Sequence, residues 1–281
     1  MSERLSSLRR HPLARMLCAS LAMFLALAIS FAATEALLPR HASANWPNAV
    51  AALACALGYG AYSRCLEHRR VTELGGHRAV AESVRGLGLG GLLALFTLAP
   101  LWGLGVYRIE GWGDGTQLIA QAPEMLLVAV MEELLIRGVI FRIAEQAWGS
   151  RWAFLLSTAL FVAAHLPGEI SWIGVLVTAA ASIAFSAAYQ LTGRLWLPMG
   201  MHFAWNYLFS AVLSLPVSGH EAKGWVRGSL YGPEWLTGGA YGIEASAMAL
   251  LVWVTAGILL LRLGHPSMLA QALRTQPRSQ R

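Results

Sequence analysis

The sequence predicts an all-α fold: a polytopic membrane helical bundle of about eight transmembrane helices with both termini in the cytoplasm. Of the 281 residues, 56% are hydrophobic and only 13% are charged. That is more apolar surface than one soluble core needs. Apolar segments recur along the whole chain, most of them close to the roughly 20 residues that a spanning helix requires.

The apolar segments are separated by basic residues, by Pro/Gly turns and by tryptophans, which suit the headgroup level of a bilayer. They lie at 13–38, 47–63, 86–106, 118–141, 152–166, 172–190, 195–215 and 241–263. An alternative for the first segment is a secretory signal cleaved near Ala42-Ser43-Ala44. Its apolar run is about twice as long as a signal core of roughly 7–15 residues, so we expect a retained helix.

The basic residues indicate the orientation. When alternate connections are assigned to opposite sides, the N-terminal side receives most of the 21 Lys and Arg residues. The other side receives only Arg40, Arg108, Lys223 and Arg227. Basic residues concentrate on the cytoplasmic side of membrane proteins, so both termini are predicted to be cytoplasmic.

The net charge of +6 does not predict a nucleic-acid partner. A nucleic-acid domain gathers its basic residues on one exposed face, whereas here they lie between apolar runs. The predicted non-protein partner is therefore the lipid bilayer. Cys18, Cys55 and Cys65 show neither metal-ligand spacing nor a disulfide framework, and we interpret them as small apolar side chains.

Segment 118–141 carries two carboxylates and a guanidinium: Glu132, Glu133 and Arg137. Each such residue at the centre of a membrane helix costs roughly 2.5–3.5 kcal/mol, so three together need a strong reason. Glu133 and Arg137 are four residues apart and can pair on one helix face. Glu132 is turned away by about 100°, which leaves its carboxylate free for chemistry.

Two further segments carry imidazoles at a comparable depth. His165 ends segment 152–166, whereas His202 and Asn206 lie four residues apart on one face of segment 195–215. A Leu166-Pro167-Gly168 turn follows His165 directly. Irregular backbone inside a bilayer is tolerated only next to protein or a water-filled cavity. We therefore expect a wet cavity near His165, as hydrolysis would require.

Three motifs stand in order on three predicted helices. They are Glu132-Glu133-x-x-x-Arg137, Phe161-x-x-x-His165 and His202-x-x-x-Asn206, the last preceded by Gly193-Arg-Leu-Trp-Leu-Pro198. This set resembles the CAAX-processing and bacteriocin-processing (CPBP, Rce1-type/Abi) intramembrane endopeptidases. The resemblance covers about 118–210 and leaves the first three helices and the last without a functional assignment.

The resemblance implies a glutamic-type membrane protease. Glu132, assisted by His165, would activate a water, while His202 and Asn206 would donate hydrogen bonds to the oxyanion. Glu133 and Arg137 would support the site, and Phe161 would pack against His165. The substrate would be a protein or peptide cleaved near its C-terminus or close to the membrane. A prenylated tail, a peptide precursor and a C-terminal sorting helix all fit.

A zinc-dependent version of the same peptidase is the first alternative, with His165, His202 and Glu132 as ligands. We favour a metal-free reaction without a cofactor, because no His-Glu-x-x-His helix is present and an asparagine suits an oxyanion better than zinc. A membrane immunity or scaffold protein and a transporter are two further alternatives. The transporter is disfavoured because the sequence has no inverted repeat.

Simpler interpretations apply to single residues. Glu133 and Arg137 could serve only to neutralise each other, and either histidine or Asn206 could be an interhelical hydrogen-bond donor. Three further carboxylates near predicted helix ends are interpreted as interfacial and without function. They are Glu35, Glu124 and Glu244.

The chain divides by motif content into three parts. Residues 1–117 form three N-terminal spans of unassigned role, and 118–215 form the protease core. Residues 216–281 comprise an extracytoplasmic loop, the last span and a cytoplasmic tail. We expect an integral protein of a bacterial inner membrane.

Overall fold

The computed structural model describes the backbone of residues 11–37, 45–168 and 170–275. The alternative cleavage site at 42–44 lies outside these ranges. Within them most of the chain is helical, as the composition predicts.

Ten α-helices are described, and they are numbered here in chain order. They are α1 Pro12–Leu37, α2 Trp46–Cys65, α3 Ala79–Gly103, α4 Thr116–Glu133, α5 Arg142–Trp148, α6 Ser150–His165, α7 Trp172–Thr192, α8 Trp196–Tyr207, α9 Glu234–Thr237 and α10 Ala247–Thr275. Two π-helical stretches continue α4 and α8, at Leu134–Phe141 and Leu208–Val212. Short 3₁₀ turns occupy Leu166–Gly168, Gly239–Tyr241 and Ile243–Ala245.

Four of these helices are long and apolar enough to cross a bilayer: α1, α3, α7 and the Ala247–Gly264 part of α10. Long apolar side chains on α1 and α2 face outwards, such as Leu17 at 71% and Leu57 at 64% exposure. An outward apolar belt of this kind suits lipid rather than water. The chain is therefore an all-helical membrane protein, while the count of eight spans and their orientation stay predictions.

Two features differ from the sequence prediction. The strands β1 (Tyr107–Trp112) and β2 (Val226–Leu230) pair antiparallel and interrupt the otherwise helical fold. In addition, the segment predicted as a span from residue 241 becomes helical only at Ala247. Left-handed backbone at Gly238 and Gly242 (φ +79° and +103°) bends the preceding chain into turns.

Helix α7 forms the centre of the bundle and packs against α6, α8 and α10. Helix α8 is also held against α3 by glycines. A Cβ at Gly86 would overlap the Leu197 carbonyl oxygen, and one at Gly90 would overlap that of Met201. Because these helices approach so closely, the position of α8 along the bundle is fixed.

A cluster of ion pairs closes one end of the bundle, here called the basic end. Glu67 accepts hydrogen bonds from Arg15 on α1 (2.7 Å), from Arg142 on α5 (2.9 Å) and from Arg69 (2.6 Å). Nearby, Arg194 pairs with Glu82, and the Trp196 indole donates to the Gly75 carbonyl. The α2–α3 connection is thereby tied to α1, α5 and the start of α8.

The opposite end, here called the strand end, carries β1 and β2. Trp112 and Trp225 lie against each other there, with ring centroids 5.1 Å apart. The Gly113 N–H donates to the Trp225 carbonyl at 2.6 Å, and the Trp225 N–H donates to Ala211 at the end of α8's π-helical stretch. The segment before β2 is therefore joined to the β1–α4 connection and to the π-helical stretch after α8.

Glu67 should make stability depend on pH. Burial opposes its ionisation, but the three arginines outweigh burial and lower its pKa below the ordinary 4.5. A carboxyl with a depressed folded-state pKa contributes stability above its unfolded pKa and loses it as the pH falls towards the folded value. We expect the unfolding temperature in detergent to fall as the pH drops below about 4.5.

The Glu67→Gln variant should be less stable by about 1.5–3 kcal/mol at neutral pH, because hydrogen bonds to a charged group are lost. Its unfolding temperature should also change less with pH in the acid range. Glu35→Gln, a change at an exposed position on α1, is the matched control and should behave as wild type. Equal acid sensitivity of Glu67→Gln and wild type would contradict this account.

Candidate active site

A cavity of about 740 Å³ lies between α4, α6, α8 and the loop around residues 217–223. The four predicted catalytic residues, Glu132, His165, His202 and Asn206, all line it. Each comes from one of the three motif-bearing helices. The ordered motifs thus converge on one space that is large enough for several residues of an extended peptide.

Beneath the cavity, Glu133 and Arg137 form an ion pair with 2.9 Å between Oε1 and Nη1. Both side chains are fully buried. Arg137 also donates from Nη2 to the Ser182 carbonyl and hydroxyl, each at 3.0 Å, and from Nε to the Ser186 hydroxyl at 3.4 Å. The guanidinium therefore connects α7 with the π-helical stretch that follows α4. The spacing of residues along one helix does not predict these partners on another helix.

Two aromatic rings enclose the same guanidinium. Its central carbon lies 4.8 Å from the Phe161 ring centroid and 5.2 Å from that of Phe185. Both are cation–π distances. Phe185 also stacks on the His202 imidazole, with centroids 5.0 Å apart and planes 18° apart. Phe161 is thus a support of Arg137 as well as a neighbour of His165, 4.5 Å between ring centroids.

His202 links the two glutamates. Its Nδ1 lies 3.0 Å from Glu133 Oε1, and its Nε2 lies 3.8 Å from Glu132 Oε2. Glu133 already accepts from Arg137 and can be treated as a carboxylate, so Nδ1 carries a proton and donates. The Nε2 atom then faces the cavity as an acceptor when the ring is neutral and as a donor when it is protonated.

His165 has a similarly fixed ring. Its Nδ1 lies 2.7 Å from the Phe161 carbonyl oxygen, which can only accept, so Nδ1 is the donor. In the neutral ring the lone pair is on Nε2. Since His165 lines the cavity, this lone pair is the basic position that the imidazole can offer there.

Glu132 is placed differently from its neighbour. Its side chain is 25% exposed, whereas that of Glu133 is fully buried. Among the described residues, Oε2 of each glutamate lacks a hydrogen-bond partner, so exposure is what distinguishes the two. The rotation between consecutive helical residues therefore turns one glutamate into the protein and the other towards the cavity.

A second cavity of about 40 Å³ adjoins the first and shares His165, His202 and Asn206 with it. Its polar lining and size suit ordered water. Glu244, interpreted from sequence as interfacial, lines this space instead and is only 9% exposed. That interpretation of Glu244 was wrong, because the 3₁₀ turn before α10 folds the carboxylate inwards.

Glu244 connects α8 to the loop that covers the site. Its Oε1 accepts from the Trp205 indole at 2.5 Å, and its Oε2 accepts from the Ser218 N–H at 2.6 Å. Glu124 was also interpreted as lacking a role, but it lines the larger cavity. Glu35 is exposed on α1, as expected.

Sequence signals for these additional residues are weak but identifiable. Ser182 and Ser186 are four apart in an otherwise apolar segment, so they mark a polar stripe on one face of α7. Glu244 follows a glycine-rich stretch, which could have indicated a turn rather than a helix start. Neither signal identifies the partner across the bundle.

The donor set does not fit a catalytic metal in this arrangement. Among the residues that the structure describes, no three His, Cys, Asp or Glu side chains are grouped closely enough to hold one. The Nδ1 contacts of His202 and His165 leave both Nε2 atoms free, which is compatible with zinc ligation, so only the spacing of the side chains argues against a metal. Zinc coordination by His165, His202 and Glu132 would require these side chains to move.

Comparison with known proteins identifies the motif-bearing part of the chain. A family model described as type II CAAX prenyl endopeptidase Rce1-like matches residues 115–208. This segment is similar to that family. The resemblance inferred from the three motifs is thereby confirmed, and it indicates a membrane protease family.

The Rce1-like segment contains α4, α6, α7, α8 and every motif residue. It excludes the loop around residues 217–223, which borders the larger cavity, and Glu244, which lines the smaller one. No curated protein and no solved structure matches the chain.

The ion pair beneath the cavity should be essential for folding. Glu133→Gln leaves Arg137 buried without a counter-charge, which should destabilise the protein by about 3–5 kcal/mol. The yield of folded protein and the free energy of unfolding in detergent measure this. The double variant Glu133→Leu/Arg137→Met should recover part of the stability, because apolar replacement of a buried ion pair is often tolerated. Wild-type stability of Glu133→Gln would contradict the assignment.

Glu244→Gln tests the tie between α8 and the covering loop. Both Glu244 oxygens accept hydrogen bonds, whereas an amide has one oxygen and would place its NH₂ against Trp205 or Ser218. We expect a loss of about 1.5–3 kcal/mol, because a hydrogen bond to a charged group disappears. Glu234→Gln, at an exposed position on α9, is the control. If the two variants are equally stable, Glu244 contributes nothing through these contacts.

Proposed function

We propose that the chain is an intramembrane endopeptidase that hydrolyses a peptide bond through a water activated by Glu132 and His165. Its substrate would be a protein or peptide cleaved near its C-terminus or next to the membrane. The observation that carries the proposal is the convergence of Glu132, His165, His202 and Asn206 on one open cavity. The Rce1-like match over the same helices supports it.

The general base would be Glu132. Its side chain is 25% exposed and lines the cavity, so the carboxylate can accept a proton from a water there, and the Nε2 lone pair of His165 can accept the water's second hydrogen bond. The water oxygen then attacks the carbonyl carbon of the scissile bond. The proton taken by Glu132 passes to the leaving amine when the tetrahedral intermediate collapses, which restores the carboxylate.

The oxyanion would be stabilised by His202 and Asn206. The Asn206 amide can donate without any change of protonation. His202 can donate from Nε2 only as an imidazolium, because its Nδ1 proton is held by Glu133. The Nδ1 contact with Glu133 fixes the orientation of the ring, so the buried pair would have a second role in directing Nε2 to the cavity. Removing one oxyanion donor typically slows catalysis by about 10²–10³-fold.

A non-catalytic membrane scaffold and a transporter would use the same charges differently. A transporter needs a route for its substrate across the bilayer, and buried charges along that route. The described cavity instead ends at Glu132, above the Glu133–Arg137 pair and the closed basic end. This blind shape favours hydrolysis over transport.

Replacing the base tests the proposal directly. Glu132→Gln keeps the shape of the side chain but cannot accept the proton, so activity should fall by about 10²–10⁴-fold. Cleavage would be measured with purified enzyme in detergent against a library of peptides and membrane-anchored reporters. Folded protein should be recovered in normal amounts, because Glu132 lacks the contacts that hold Glu133.

The matched control is Glu110→Gln, at an exposed position of β1 outside the cavity lining; it should cleave like wild type. Full activity of Glu132→Gln would refute the mechanism. Loss of wild-type activity with a chelator, restored by zinc, would replace it with the metal-dependent alternative.

A further inference from the structure

We infer that the active-site cavity opens towards the extracytoplasmic face, so that the substrate is a segment of an exported protein or peptide rather than a cytoplasmic tail. This inference rests on the proposed function and specifies its substrate class. It combines two independent observations: where the cavity opens along the bundle, and how the basic residues are divided between the bundle's ends.

The cavity opens at the strand end. Gln117 and Gln121, from the first turns of α4, line it together with His220 and Lys223 from the loop before β2. The loop is held in place there, since Gln121 donates to the Lys223 carbonyl and accepts from the Ser210 hydroxyl at 2.6 Å.

The basic end is closed. None of the described residues that line the cavity belongs to the α2–α3 connection or to the α7–α8 connection. Those connections are instead locked to the helices: the Leu195 N–H donates to the Glu73 carbonyl, and Arg142 binds Glu67. From Gln117 to Glu132 the helix spans about 22 Å at 1.5 Å per residue, and this part alone is open to the cavity.

The division of charge gives the direction. The α2–α3 connection and its flanks carry many basic residues at the closed end, namely Arg64, Arg69, Arg70, Arg78 and Arg85. At the open end, the described residues supply only Arg108, Lys223 and Arg227. Short connections rich in Lys and Arg stay in the cytoplasm. The closed end is therefore cytoplasmic, and the mouth faces the other side.

This orientation limits the substrates. A peptide that reaches Glu132 from the mouth must extend over about 22 Å, which takes about seven residues at 3.3 Å each. A prenylated tail remains on the cytoplasmic leaflet and would meet the closed end. An exported precursor peptide, or the extracytoplasmic end of a substrate's membrane helix, can enter directly.

Cysteine accessibility in intact cells tests the inference without a known substrate. In a background in which Cys18, Cys55 and Cys65 are replaced, single variants Val128→Cys, Leu126→Cys, Lys223→Cys and Arg70→Cys are exposed to a membrane-impermeant cationic methanethiosulfonate. Val128 lines the cavity one turn from Glu132, whereas Leu126 faces outwards on the same helix. Leu126→Cys is thus the matched control for a thiol in lipid.

Val128→Cys and Lys223→Cys should react from outside, and Val128→Cys should react at least about 10-fold faster than Leu126→Cys, because a thiolate forms in water and not in lipid. Arg70→Cys should react only after permeabilisation. Reaction of Val128→Cys only from the cytoplasmic side, or labelling of Arg70→Cys from outside, would overturn the inference. A Val128→Cys thiol unreactive from both sides would also overturn it.

The labelling result is separable from the proposed function. The pattern should be unchanged when Glu132→Gln is added, since it reports water access and not turnover. If Glu132→Gln keeps full activity while the labelling pattern holds, the peptidase mechanism fails and the orientation stands. If Glu132→Gln is inactive but labelling comes from the cytoplasmic side, the orientation fails and the mechanism stands.

Discussion

The buried ion pair between Glu133 and Arg137 is the constraint on which the site depends. Two opposite charges with no solvent exposure are costly to bury, and additional hydrogen bonds offset part of that cost. Arg137 therefore needs the Ser182 and Ser186 contacts on α7, and Glu133 gains the His202 ring on α8. Satisfying one pair of charges thus fixes the relative positions of the helices that carry the chemistry.

The same constraint explains why two consecutive glutamates differ in role. Glu133 is in contact with Arg137 and His202, so its charge stabilises these buried contacts. Glu132, one residue earlier, projects to the cavity, where its side chain is 25% exposed. The helix turns into a π-helical stretch immediately after this pair. Such stretches are frequent at functional sites, where they re-aim side chains relative to a regular helix.

The sequence predicted those parts of the site that depend on local spacing. Glu133–Arg137 and His202–Asn206 are four-residue relations, which any α-helix places on one face. Contacts between distant segments gave no such signal: Glu244 with Trp205, Arg137 with Ser182, and the packing of Gly86 on α8. The pairing of β1 with β2 was not predicted for the same reason, since more than 100 residues of the chain separate the two strands.

A polar cavity in a membrane protein can admit water without making a pore if it is closed at one end, and the two ends of this bundle differ in this respect. At the strand end, a loop held by Glu244 and Gln121 borders the cavity and leaves it open. At the basic end, Glu67 of the α2–α3 connection binds Arg15 of α1, Arg142 of α5 and its neighbour Arg69. The first network shapes the entrance, and the second seals the membrane behind the site. Because the Glu133–Arg137 pair lies between them, water can reach Glu132 from one side while the path beyond it is filled with paired charges and aromatic rings.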